Sequence, residues 1–332
     1  MLNASVTDHF VVALLLCGVL LSAVGCGSSA SDDEPTPASE SVSYVTTIPP
    51  FAMILRPVVD GRATVTTLLD PGDSPHTHDL RPSDLRAVSG SQALMYGARA
   101  LDGWASDLPA AASIKLLDLL PPEARRTFGS VDGATSDTSS HASGRKGHDM
   151  TGVDPHFWTD PTAVEALLPA LADTLCALDT AGCSTYHANA DSFAAALATL
   201  DTHLASTIAP VRDVPVMLAQ PFFRYFLYRY GPSLVGVVSR SPAHEPSPRV
   251  VQAKIRQART ASVRAVFTQQ TLPPRAAEAV AEAASLPLYT LDPLGGTSGR
   301  TTYADLLRWN ANRIRTALDA HARNASVGSA SE

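Results

Sequence analysis

From Val42 onward, short β-branched runs alternate with segments whose apolar residues recur at helical spacing. The first half reads SYVTTI, a stretch opened by prolines, ATVTTLL, a helix around Pro82–Val88, ALMYGA, a helix near Leu101 and SIKLLDL. The second half repeats the rhythm with VPVMLA, FFRYFLYRYG, SLVGVV, a helix after Pro248, VRAVFTQ, a helix after Pro274, PLYTLD and a last helix from about Thr301. Between them, Tyr186, Phe193, Leu197, Leu200 and Leu204 fall on one face of an Ala-rich stretch, which predicts a single long helix. The pattern predicts an α/β fold of two βαβ-type lobes with parallel sheets, joined by one long rigid helix. The N-terminal lobe is placed at 42–183, the linker helix at 184–209 and the C-terminal lobe at 210–325. Ligands of such sheets sit at the carboxyl ends of strands, so the expected site is the cleft between the lobes.

Ahead of this lies a different pattern. Phe10 to Val24 is a continuous apolar run of 15 residues, short for a membrane span and suited to the core of an export signal, here residues 1–25. Ala23, Val24 and Gly25 before Cys26 resemble the lipobox of a bacterial lipoprotein, although Ala23 stands where Leu is usual. That resemblance implies lipidation of Cys26, which would anchor the protein to a membrane without spanning it. Residues 26–41 are rich in Ser, Pro and acidic side chains and read as the anchor and a flexible spacer.

Composition narrows the class. With 45% hydrophobic and 17% charged residues over 332 positions, the chain can bury a core. Its net charge of -7, with no basic run, argues against a nucleic-acid partner. Cys176 and Cys183 lie seven apart ahead of the long helix; in an exported protein they are a candidate disulfide, the alternative being two buried thiols. No nucleophile with a matching base is evident.

The chemistry-bearing residues cluster in Pro-bounded loops. His76 and His78 follow the strand ATVTTLL in DPGDSPHTHDLRPSDL, and imidazoles presented from such a loop are suited to a transition metal. DPHFWTDP supplies Asp154, His156 and Asp160; Asp160-Pro161 has the form of a helix cap followed by Pro at the first helical position. Asp292 ends the last strand, where it either caps a turn or faces the cleft.

These phrases together resemble the metal-binding solute receptors of bacterial ABC importers for zinc and manganese. Pro75 to Asp84 matches that family's "PHtyelkPsD", and Asp154 to Pro161 its "DPHvWldP". Tyr186, Asn189-Ala190, Phe193, Leu197 and Leu200 match its linker helix. Glu245 to Pro248, Val266 to Gln269 and Leu291 to Gly296 match "EPSp", "iFTe" and "LDPLGg" in the same order, so the likeness runs from about residue 43 to 320.

The resemblance implies that His76, His156 and Asp292 are metal ligands. At the remaining position the family phrase is close to "sHdAfgYfarrYGL", and this chain has Gln220 in place of the His. Three arrangements stay open: Gln220 ligates, His78 swings in as a substitute ligand, or a water fills the place. Two neutral imidazoles and one carboxylate without a Glu lean toward zinc over manganese. The Gly/Ser/Asp-rich stretch with His141 and His148 resembles a depleted form of the His-rich loop of zinc receptors, or is a plain loop. His244 is the one other His whose loop could approach the cleft.

The expected function is an extracytoplasmic receptor in the cell envelope. It would capture a divalent metal, most readily zinc, as a monomer and deliver it to the membrane permease subunit of an ABC importer. A rigid linker predicts release by local movement of ligand loops and not by wide lobe opening. The alternatives are a manganese or iron receptor of the same family, and a surface adhesin-like lipoprotein with a degenerate site. An enzyme is disfavoured: His76-Thr77-His78-Asp79 echoes the HxHxDH of metallo-hydrolases, but Leu80-Arg81 stand where Asp-His is needed.

Overall fold

The computed structural model describes residues 42–128, 152–239 and 245–328. The expected export signal, Cys26, the expected spacer, His141, His148 and His244 lie outside these residues.

The N-terminal lobe runs β1 (Val42–Thr46), α1 (Pro49–Val59), β2 (Ala63–Thr67), α2 (Pro82–Ser89), β3 (Ala93–Tyr96), α3 (Arg99–Asp102), β4 (Ser113–Lys115) and α4 (Leu116–Leu119). All strands are parallel, in the order β2-β1-β3-β4. After α5 (Pro161–Leu178) and α6 (Cys183–Ile208), the C-terminal lobe runs β5 (Pro215–Leu218), α7 (Arg224–Tyr230), β6 (Ser233–Val237), α8 (Pro248–Thr260), β7 (Ala265–Gln269), α9 (Arg275–Ala283), β8 (Leu288–Leu291) and α10 (Tyr303–Gly328). Its parallel order, β6-β5-β7-β8, repeats that of the first lobe. The two-lobe α/β architecture therefore matches the alternation in the sequence.

Strand composition follows strand position. Central β7 (AVFTQ) is buried throughout, because parallel sheets covered on both faces leave no solvent side. Edge strand β2 (ATVTT) alternates partly buried and exposed residues, and its threonines suit that place. Helix starts follow their caps. Asp160 Oδ1 accepts from the Thr162 amide at 2.9 Å with Pro161 at the first helical position of α5. The carboxylate of Asp84 accepts from the Arg81 amide at 2.9 Å at the start of α2.

The linker helix α6 has 26 residues, about 39 Å at 1.5 Å per residue. It folds back on α5 through a turn closed by a Cys176–Cys183 disulfide. Arg62 donates to both carboxylate oxygens of Asp179 in this turn, at 2.6 and 2.7 Å, and Tyr186 Oη donates to Asp179 at 2.7 Å. The turn is thereby tied to the N-terminal lobe. One continuous apolar core includes Phe51 and Met95 of the first lobe, Leu197, Leu200 and Leu204 of α6, and Phe223, Phe267 and Ile314 of the second. A hinge that opened the lobes widely would expose this shared surface, at a cost of about 25 cal/mol per Å².

Candidate metal site

The loop after β2 carries the first imidazole. Trp104 Nε1 donates to the Pro75 carbonyl at 2.8 Å, and the His76 amide donates to Ser74 Oγ at 3.3 Å, which fixes the backbone beside His76. At the surface Arg81 bridges Asp70 and Asp73 and draws the ends of the loop together. The His78 side chain is 2% exposed, lies 4.6 Å from the Trp104 ring, and its Nε2 is 2.9 Å from Asp84 Oδ2. His78 therefore clamps the loop onto α2 and Trp104. Ligation through Nε2 would break that bond.

His156 stands just before α5, and its ring centroid is 6.3 Å from that of His76. Asp154 Oδ1 accepts from the His156 amide at 3.0 Å and lies 2.7 Å from Nδ1. A carboxylate at Nδ1 places the proton there and leaves the Nε2 lone pair for a metal, the carboxylate–histidine–metal arrangement. Asp154 is fully buried, and its Oδ2 has no hydrogen-bond partner; the nearest charge is Arg224 Nε at 4.0 Å. Arg224 is itself 2% exposed, packs over the Phe128 ring and donates to Tyr228 Oη at 2.9 Å.

The stretch with His141 and His148 leaves at Phe128 and returns at Gly152. The Phe128 amide donates to the Gly152 carbonyl, and the Asp154 amide to the Arg126 carbonyl at 2.8 Å. Both ends of that stretch are thus pinned beside the Asp154–His156 pair.

Gln220 follows β5 at the carboxyl end of the second sheet. It is 8% exposed, and its Oε1 is buried without a hydrogen-bond partner. A buried amide oxygen left unpaired is costly unless something binds it, so this atom is available to a cation.

Asp292 ends β8. Its Oδ1 accepts from the Leu294 and Gly295 amides at 3.0 and 2.9 Å, and its Oδ2 accepts from Arg300 Nε at 2.6 Å. Asn310 brackets its backbone. The following Gly295-Gly296 adopts positive φ, and a Cβ on Gly296 would sit 3.1 Å from Pro71 and 3.3 Å from Pro49. Glycine lets this loop press against the first lobe beside the His76 loop. Trp158 Nε1 donates to the Pro293 carbonyl at 2.8 Å, joining the His156 segment to the Asp292 loop.

The structure thus brings His76 and His156 side by side and packs the Asp292 loop against both of their segments. The ligand atoms of His76, His156 and Asp292 do not all lie within 4.8 Å of one another, while Asp292 is held by Arg300. Two residues went unnoticed in the sequence. Arg300 has no motif of its own, and Arg224, which stands where the family phrase has glycine, was the one available signal.

The family model for the periplasmic component A of the zinc-uptake complex, ZnuA, matches residues 45–317. The chain belongs to this family. A manganese-binding lipoprotein, MntA, of Halalkalibacterium halodurans is 24% identical over 314 residues, covering 90% of this chain and 95% of that protein. A high-affinity zinc uptake system protein, ZnuA, of Paracoccus denitrificans is 28% identical over 304 residues, covering 85% and 93%. The solved periplasmic zinc-binding protein TroA from Treponema pallidum superposes with a TM-score of 0.68 at 19% identity, covering 84% of this chain and 99% of that one, a likeness of fold. The family is one of solute-binding receptors, in keeping with the expectation of a receptor for an ABC importer of zinc or manganese.

Proposed function

We propose that this protein is an extracytoplasmic metal receptor that takes up zinc in preference to manganese and passes it to the permease of an ABC importer. The observation that carries the reading is the Asp154–His156 pair, in which a buried carboxylate sets the tautomer of an imidazole 6.3 Å from a second one. His76 and His156 supply nitrogen, Asp292 a carboxylate oxygen, and Gln220 its unpaired Oε1. His78 stays in its clamp with Asp84. Two imidazoles, one carboxylate and one amide oxygen suit zinc, whereas manganese favours further carboxylates.

The shared core under the lobes supports capture and release by movement of the ligand loops, above all by release of Asp292 from Arg300. The receptor works as a monomer, held at the membrane by a lipid on Cys26 and the spacer that follows. Metal content and titration calorimetry on the purified protein test the reading. Zinc binding with one ion per chain is expected. Binding of neither zinc nor manganese more tightly than about 10 μM, about -7 kcal/mol, overturns it.

A further inference from the structure

Far from the cleft, the hairpin of α5 and α6 gathers a second set of metal-ligating side chains. Asp173 and Cys176 lie three apart on α5, and Cys183 and His187 four apart on α6, so each pair shares a helix face. The turn between them is held tight because a Cβ on Gly182 would come within 2.6 Å of Asp179 Oδ2 and 2.7 Å of the Tyr186 ring. The ligand atoms of Cys176, Cys183 and His187 all lie within 4.8 Å of one another. His187 Nε2 is 3.4 Å from Asp173 Oδ1. In a tetrahedral zinc site, with Zn–S about 2.3 Å and Zn–N about 2.0 Å, neighbouring ligand atoms stand about 3.3–3.8 Å apart. Asp173 stands outside the group of three and reaches it only through His187, so that geometry requires the two sulfurs to part and the Asp173 side chain to turn toward them. Cys176 begins 15 residues into α5, about 22 Å along the helix from the His156 segment, so the two sites do not share ligands.

We propose that this hairpin is a second, thiol-gated site for zinc, closed while the disulfide is formed and opened by its reduction. The opening step is a thiol–disulfide exchange. A small dithiol gives up two electrons and two protons, becoming a disulfide, and Cys176 and Cys183 become thiols. Zinc then displaces both thiol protons, and His187 and Asp173 complete the four-coordinate set. Both cysteines are half-buried and His187 is exposed, so reductant and metal can reach them. Cys183 is the first residue of a 26-residue helix, whose amino-terminal dipole favours the thiolate.

The test uses the full chain carrying His76→Ala and His156→Ala, so that the cleft is silent. It is reduced with a dithiol, freed of it without air, and titrated with cobalt(II) and zinc. The reduced protein should take one ion per chain, with a sulfur-to-cobalt charge-transfer band, and the oxidised protein none. Cys183→Ser should abolish the band, and His187→Ala should weaken zinc at least tenfold. In the protein with an intact cleft, reduction should raise the zinc stoichiometry by one whether or not the cleft itself binds, which separates this proposal from the one above. No charge-transfer band, unchanged affinity in His187→Ala, or unfolding on reduction seen by circular dichroism would each overturn it.

Discussion

Arg300 donates a 2.6 Å hydrogen bond to Asp292, the carboxylate proposed above as a metal ligand, while the other oxygen of that carboxylate is held by two backbone amides. The guanidinium also lies 4.4 Å over the Trp309 ring and donates to Thr297, which gives it a fixed station when Asp292 turns away. The arginine and an incoming divalent ion therefore compete for one negative charge. Arg300→Gln should tighten zinc binding roughly tenfold, about 1.4 kcal/mol by calorimetry. It should also lower the stability of the metal-free protein by about 1 kcal/mol, since a well-shielded pair is lost.

Asp154 touches His156 but has no place among the proposed ligands, so its effect on metal passes through the imidazole. Asp154→Asn should weaken zinc 10–100-fold, the usual consequence of losing a carboxylate behind a ligating histidine. Retained far-ultraviolet circular dichroism would show that the fold survives. Equal zinc affinity in variant and parent would show that the pair does not orient a ligand.

Gln220 and His78 can be separated by paired substitutions. Gln220→His supplies a softer, stronger donor and should tighten zinc at least tenfold. His78→Ala should leave zinc affinity within about twofold while costing about 1–3 kcal/mol of stability in urea, because Asp84 loses a buried partner. A large loss of affinity in His78→Ala would instead make this imidazole a ligand.

Asp102 sets a pH dependence unrelated to metal. Burial pushes its carboxyl up to about 6 from an ordinary 3.8, although the Gly97 and Ala98 amides and Thr47 Oγ1 all donate to it. The folded protein therefore holds this proton more tightly than the unfolded chain. The stability it contributes is complete below about pH 4, falls as pH rises through about 6, and is level above that. The fall is at most about 3 kcal/mol. Urea unfolding at a series of pH values should show the slope in the parent and not in Asp102→Asn. Asp179, held down to about 2 by Arg62, adds stability that is lost only as pH drops from about 4 toward 2, outside that window.

Much of the fold was legible because period and punctuation agree. VPVMLA and the Ala265–Phe267 part of VRAVFTQ are apolar, as suits strands covered on both faces, and Pro82, Pro161 and Pro248 each open a helix. The candidate site was legible to the extent that its residues stand in Pro- and Gly-bounded phrases at strand ends. Asp160 caps α5 as its place before Pro161 predicts. His78 shows where that reasoning stops, because it sits in a motif beside a proposed ligand yet clamps a loop.

The two parallel sheets, the linking helix and the Pro-bounded phrases that carry the histidines are written in local spacing and residue type, and the motifs in those phrases carry the family resemblance. Which charges meet is settled by packing instead. Arg300 is eight residues from Asp292, and Arg224 is 70 from Asp154, and neither separation carries a period that would bring them together. The same holds at the far hairpin, where Cys176 and His187 come within 4.8 Å because two helices fold back on each other. Charge pairing across elements depends on packing distance, which no local pattern encodes, and at the proposed site it sets Arg300 against Asp292.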